Sequence, residues 1–116
     1  MSRLVHIPVK PLSANLATNG RKTKSWAYRL YEEDVTKLLP RIRIPRKGKL
    51  LLLLDVYYSN SGADLDNAIK PFLDILQKRY AFNDNRVYKI VANKYVVPKG
   101  EEGIAFKIEE FKNEEA

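Results

Sequence analysis

Five consecutive leucines at positions 50–54, followed by Asp55, Val56, Tyr57 and Tyr58, constrain this chain more than any other feature. A run so apolar and so short suits a strand with neighbours on both sides better than a helix. The pattern predicts a strand over residues 49–58, central in a covered sheet. Five residues also fall far below the roughly 20 that a membrane-spanning helix needs. No membrane association is therefore expected, and the chain should be soluble. Residues 2–9 are too few for a secretory signal and are broken by Pro8. A length of 116 residues suffices for one hydrophobic core. A single domain is expected over residues 1–116, with an acidic, frayed tail at about 112–116.

The flanking segments fill in the rest of the sheet. Val5, Ile7 and Val9 alternate along residues 4–9, as in a short strand, and Pro8 suits a sheet edge or a strand end. A polar loop follows over residues 11–23. Residues 25–39 have helical spacing, with Ala27, Leu30, Tyr31, Val35 and Leu38 as the apolar stripe and Pro40 as the stop. A second helix is predicted over residues 67–80. The spacing then predicts a hairpin, with strands 87–97 and 103–111 joined through Pro98, Lys99, Gly100, Glu101 and Glu102. The order β-α-β-α-β-β implies an α/β (α+β) fold, a small mixed sheet with two helices packed on it.

Charge narrows the partner. The chain carries +7 at neutral pH, although four Glu and one Lys in residues 109–116 make the tail acidic. So basic a small domain is suited to a polyanion, nucleic acid above all. Solubility charge or a ribosomal setting are the plainer explanations. The absence of cysteine excludes disulfides, thiolate metal sites and a cysteine nucleophile, and it suits a reducing cytoplasm.

The chemically dense stretch is Asp64-Leu65-Asp66-Asn67-Ala68-Ile69-Lys70-Pro71-Phe72-Leu73-Asp74. At 100° per residue, Leu65, Ala68, Ile69, Phe72, Leu76 and Tyr80 share the core side. Asn67, Lys70, Asp74, Gln77 and Lys78 share the other, just above Asp64 and Asp66. Helix capping accounts for one polar residue at the entrance, not for three in four positions. Two aspartates one residue apart are poorly tolerated without a cation between them. Oxygen ligands without cysteine point to Mg²⁺ or Mn²⁺ rather than zinc. Asp84 is the best third carboxylate, although in isolation an Asx-turn is the readier explanation and only the combination with the other residues favours a ligand. Lys70 is placed to stabilise negative charge on a phosphate, or else to pair with Asp66 or Asp74 at a spacing of four. Asp74 and Asn67 are supporting residues, since Asp74 also suits a pair with Lys78.

Asp64-Leu65-Asp66-Asn67, Lys70, Asp74 and the later Asn83-Asp84 resemble the D-x-D-N-x-x-K-x-x-x-D … D signature of RusA-type Holliday junction resolvases. Pro11-Leu12-Ser13-Ala14-Asn15, with Gly20, Arg21 and Ser25, is similar to that family's opening loop. The resemblance implies a dimeric nuclease of DNA recombination and repair that cuts four-way DNA junctions with paired symmetric nicks, using Mg²⁺ or Mn²⁺ and no small-molecule cofactor. It implies Asp64, Asp66 and Asp84 as metal ligands and Lys70, with Asp66, as catalytic. A two-fold junction suits a homodimer with one site per chain. Members of the family often carry basic residues directly before the D-x-D-N. This chain has Ser59-Asn60-Ser61-Gly62-Ala63 there, so DNA contacts are expected from Arg21, Lys22, Lys24, Arg41, Arg43, Arg46 and Lys47 instead.

Two other functions fit the same residues. One is a non-catalytic nucleic-acid-binding domain whose aspartates cap a helix. The other is a nuclease of the same fold acting on other branched DNA. His6 is expected to be structural, and Trp26, Tyr57 and Tyr58 to be core or interface aromatics.

Overall fold

The computed structural model describes residues 4–12 and 25–112. Its elements are β1 (Val5–Ile7), α1 (Trp26–Leu38), β2 (Leu50–Tyr58), α2 (Leu65–Tyr80), a 3₁₀ turn (Asp84–Arg86), β3 (Val87–Val96) and β4 (Gly103–Glu110). The described residues thus form a mixed four-stranded sheet with two helices, an α+β fold.

The leucine strand is central, as its composition demands. The strand order is β1-β4-β2-β3, with β2 parallel to β3 and antiparallel to β4. This corrects the expected hairpin. β3 and β4 are not partners, because β2 lies between them and each strand pairs with it along its length. The apolar run of β2 offers two pairing edges, and filling both outweighs the short β3–β4 connection. β2, α2 and β3 consequently make a βαβ unit, the usual way to join parallel neighbours.

Burial along β2 alternates strictly. Leu50, Leu52, Leu54, Val56 and Tyr58 enter the core with Tyr28, Tyr31 and Val35 of α1 and Ala68, Phe72, Ile75 and Leu76 of α2. The other side of β2 is only partly covered, so the strand is sandwiched on one face, not two. At roughly 25 cal/mol per Å² of apolar surface removed from water, this shared layer is the main source of cohesion.

The buried stripe of α1 also differs from expectation. Tyr28, Tyr31 and Val35 face inward, whereas Leu30 and Leu38 are about half exposed. Tyr31 and Val35 of the expected stripe are buried, but Tyr28 joins them in place of Ala27, Leu30 and Leu38, which are exposed. The Ser25 hydroxyl caps the helix by accepting from the Tyr28 amide at 3.1 Å. Trp26 does not join the core and stands 73% exposed, while Tyr58 is buried and Tyr57 stacks on Tyr95 at 5.1 Å. His6 is exposed on β1.

Pro71 lies inside α2 and is buried. It withholds the N–H that residue 71 would otherwise give to the Asn67 carbonyl, so α2 lacks one internal hydrogen bond there. Ala81 ends α2 in the left-handed region at φ 55°. No helix among the described residues is long and apolar enough to cross a membrane.

Candidate active site

β2 delivers the chain to the entrance of α2 through the loop 59–64. Asp64 has the backbone of an N-cap, yet its side chain makes no capping hydrogen bond. The loop is held by other groups. The Tyr58 hydroxyl donates to the Asp64 carbonyl at 3.2 Å, and the Lys94 ammonium donates to the carbonyls of Ser61 and Ala63. Asn60 Oδ1 accepts from the Gly62 amide at 2.8 Å and tightens the turn. The Asp64 carboxylate is therefore not consumed by the local structure that positions it. Asp66 follows in the first turn of α2, exposed. Both carboxylates act on Tyr58, whose hydroxyl is pushed up first by burial and then by the charges of Asp64 and Asp66.

Beside this entrance lies a cleft of about 420 Å³ whose walls include Lys10, Ser59, Asn60, Asp64, Asn67 and Glu102. Glu102 comes from the β3–β4 connection. It accepts from the Ser59 hydroxyl at 2.6 Å and the Gly100 amide at 3.0 Å. Those hydrogen bonds, Ser59 first, hold its carboxyl below the usual carboxylate range. Asn67, in the first turn of α2, also lines the cleft.

Lys70, Asp74 and Gln77 form the outer stripe of α2. Lys70 pairs with Asp74 at 3.1 Å, and Gln77 Nε2 donates to the same oxygen at 3.4 Å. Lys78 pairs with Glu32 of α1 at 2.7 Å. Gln77 Oε1 in turn accepts the Asp84 amide at 2.9 Å, which places Asp84 at the far end of the helix. Asn83, not Asp84, makes the Asx-turn there, accepting from the Asn85 amide at 2.9 Å. The Asp84 carboxylate is exposed and outside that turn.

Convergence of Asp64, Asp66 and Asp84 within one chain is not observed. Gln77 stands eleven residues along α2 from Asp66, about 16 Å of helix rise. β2 and β3 run parallel from Leu50↔Val87 to Tyr58↔Val96, so Asp84 sits where they begin and Asp64 where β2 ends. Among the described residues no three His, Asp or Glu side chains gather closely enough to hold a metal ion.

Of the expected DNA contacts, Arg21, Lys22 and Lys24 lie outside the described residues. Arg41, Arg43, Arg46 and Lys47 lie on the segment leading into β2, at the Asp84 end. Arg86 ties that segment down, donating to the carbonyls of Pro45 at 2.6 Å and Gly48 at 3.0 Å. Lys10, Tyr58, Lys94 and Glu102 were not legible as site residues. Their contacts to the loop or cleft span 31 residues or more or lack a local signal, and Tyr58 resembled an ordinary core aromatic.

A basic α+β domain with a non-capping carboxylate at a strand-to-helix junction has the charge to meet a nucleic-acid backbone. The family model for endodeoxyribonuclease RusA matches residues 8–109, and the chain belongs to that family. Membership makes it an endodeoxyribonuclease of the Holliday junction resolvase kind, acting on branched DNA. No curated protein matches the chain.

Proposed function

We propose that the chain is a divalent-metal-dependent resolvase of four-way DNA junctions in recombination and repair, and that its active site is shared between two copies. The observation carrying this reading is Asp64, an N-cap residue whose carboxylate does no capping. Two carboxylates from one chain make an incomplete ligand set, so a metal step cannot be built on the monomer.

The sheet edge supports a way to complete it. β3 is an edge strand, and Tyr88, Ile90, Val91, Tyr95 and Val96 on it are all exposed. Antiparallel pairing of two β3 strands about a two-fold axis would extend the sheet and keep all helices on one side. It would also bring the start of one β3, with Asp84 and the basic 41–47 segment, alongside the end of the other. That end borders the loop tied to Lys94, and hence Asp64 and Asp66. A homodimer would then hold two equivalent sites for two symmetric nicks.

Asp64 and Asp66 of one chain and Asp84 of the other would hold Mg²⁺ or Mn²⁺. When bound, such an ion makes water a better nucleophile and stabilises charge on the phosphate. Lys70 would then turn from Asp74 toward the phosphate. Its exposed pair is worth only a few tenths of a kcal/mol, so the movement is cheap. Asn67 and Asp74 would orient these groups, and the basic residues would bind the backbone.

Mixing mutant chains tests the shared site. Asp84→Asn alone and the double variant Asp64→Asn/Asp66→Asn should each bind a synthetic four-way junction without nicking it. Mixed heterodimers should regain Mg²⁺-dependent nicking, because one of their two sites is then intact. A site built within one chain would stay inactive in every mixture. Nicking by the double variant itself would end the catalytic reading.

A further inference from the structure

The walls of the cleft carry one cation among the described residues, Lys10, facing the carboxylates Asp64 and Glu102. Lys10 is exposed, and among the described residues no hydrogen bond or ion pair engages its ammonium, although its charge acts on Glu102. The other lysine next to the loop, Lys94, is committed to the Ser61 and Ala63 carbonyls. Lys70 points along α2 to Asp74. Glu102 has a different attachment, since both its oxygens already accept hydrogen bonds from Ser59 and Gly100.

We propose that Lys10 is a backbone-binding residue of the cleft, contacting a DNA phosphate next to the strand that reaches Asp64. Glu102 opposes it. The glutamate fixes Ser59 and the loop, and it puts a negative charge on the surface where the phosphate must sit. Removing the two charges should therefore shift affinity in opposite directions. A Lys10 that served only to balance Glu102 would give no such split. The inference rests on the branched-DNA reading above.

The test uses the full chain and a labelled synthetic four-way junction, without divalent metal, over a salt series. Lys10→Ala should lower the slope of log affinity against log salt by about one, since each phosphate contact contributes roughly 0.9. That corresponds to a roughly fivefold to tenfold loss of affinity at 0.1 M salt by the same relation. Lys10→Arg should keep the slope, and Glu102→Gln should tighten binding while keeping a hydrogen bond to Ser59. Lys10 is exposed, and unchanged melting of Lys10→Ala and Lys10→Gln would exclude misfolding. An unchanged slope in both variants, or weaker binding by Glu102→Gln, would overturn the proposal. Nicking by the wild type with Mg²⁺, measured alongside, separates the two inferences. Its absence would defeat the nuclease reading, while the salt slopes still decide the role of Lys10.

Discussion

Lys94 links two parts of the sequence that no local pattern connects. It sits on β3 opposite Val56 and reaches the carbonyls of Ser61 and Ala63, in the loop that presents Asp64. Hydrogen bonds from a charged donor are worth more than neutral ones, about 1.5–3 kcal/mol each. Lys94→Met should keep the stem's packing and leave both carbonyls without that donor. We expect a loss of about 1–3 kcal/mol in urea unfolding. Nicking should fall by an order of magnitude or more, because a displacement of about 1 Å at a reacting group costs on the order of 100-fold. Junction affinity should change little. A variant that nicks at the wild-type rate would show that the loop keeps Asp64 in place without the lysine. At this scale the sequence placed Asp64 at the entrance of α2 and was silent about what holds its loop in place.

β3 is the element with the most unmet demand. One backbone edge pairs with β2, the other is open among the described residues, and five of its large apolar side chains are exposed. Open, apolar edge strands are pairing surfaces unless charge or bulges block them. Val91→Lys places a charge at the middle of the proposed strand pair. It should convert a dimer to a monomer in sedimentation, with nicking lost alongside. The fold should survive, since Val91 is 37% exposed and faces away from the helices. A stable dimer of this variant would place the interface elsewhere. The same element shows where pattern reasoning stopped. The bounds of β3 and β4 were close to those expected, but alternation within a strand does not specify its partner.

For the whole molecule, the buried tyrosines Tyr28 and Tyr31 are expected to limit stability in alkali. Burial, reinforced by Glu32 and Asp74, pushes the Tyr28 hydroxyl up to about 12, and Tyr31 is raised further by burial. A group with a raised folded pKa contributes fully below its unfolded value near 10, and that contribution is lost as the pH rises through the folded value. Melting temperature should therefore hold up to about pH 10 and fall between about 10 and 12. Tyr28→Phe should remove part of that fall, followed by melting scans and tyrosinate absorbance. An identical pH profile for wild type and variant would exclude Tyr28 as the titrating group.

The leucine run by itself determined a central strand, because no other arrangement covers so much apolar surface on so short a segment. The placement of Asp64, Asp66, Asn67 and Lys70 around the start of α2 was equally plain, since their spacing is local and the helix fixes their relative positions. Tertiary structure alone decided that β2 separates β3 from β4 and that Asp84 stands a helix length from the other aspartates. Both outcomes depend on which edges pair and where the chain returns, and those are properties of contacts between distant segments.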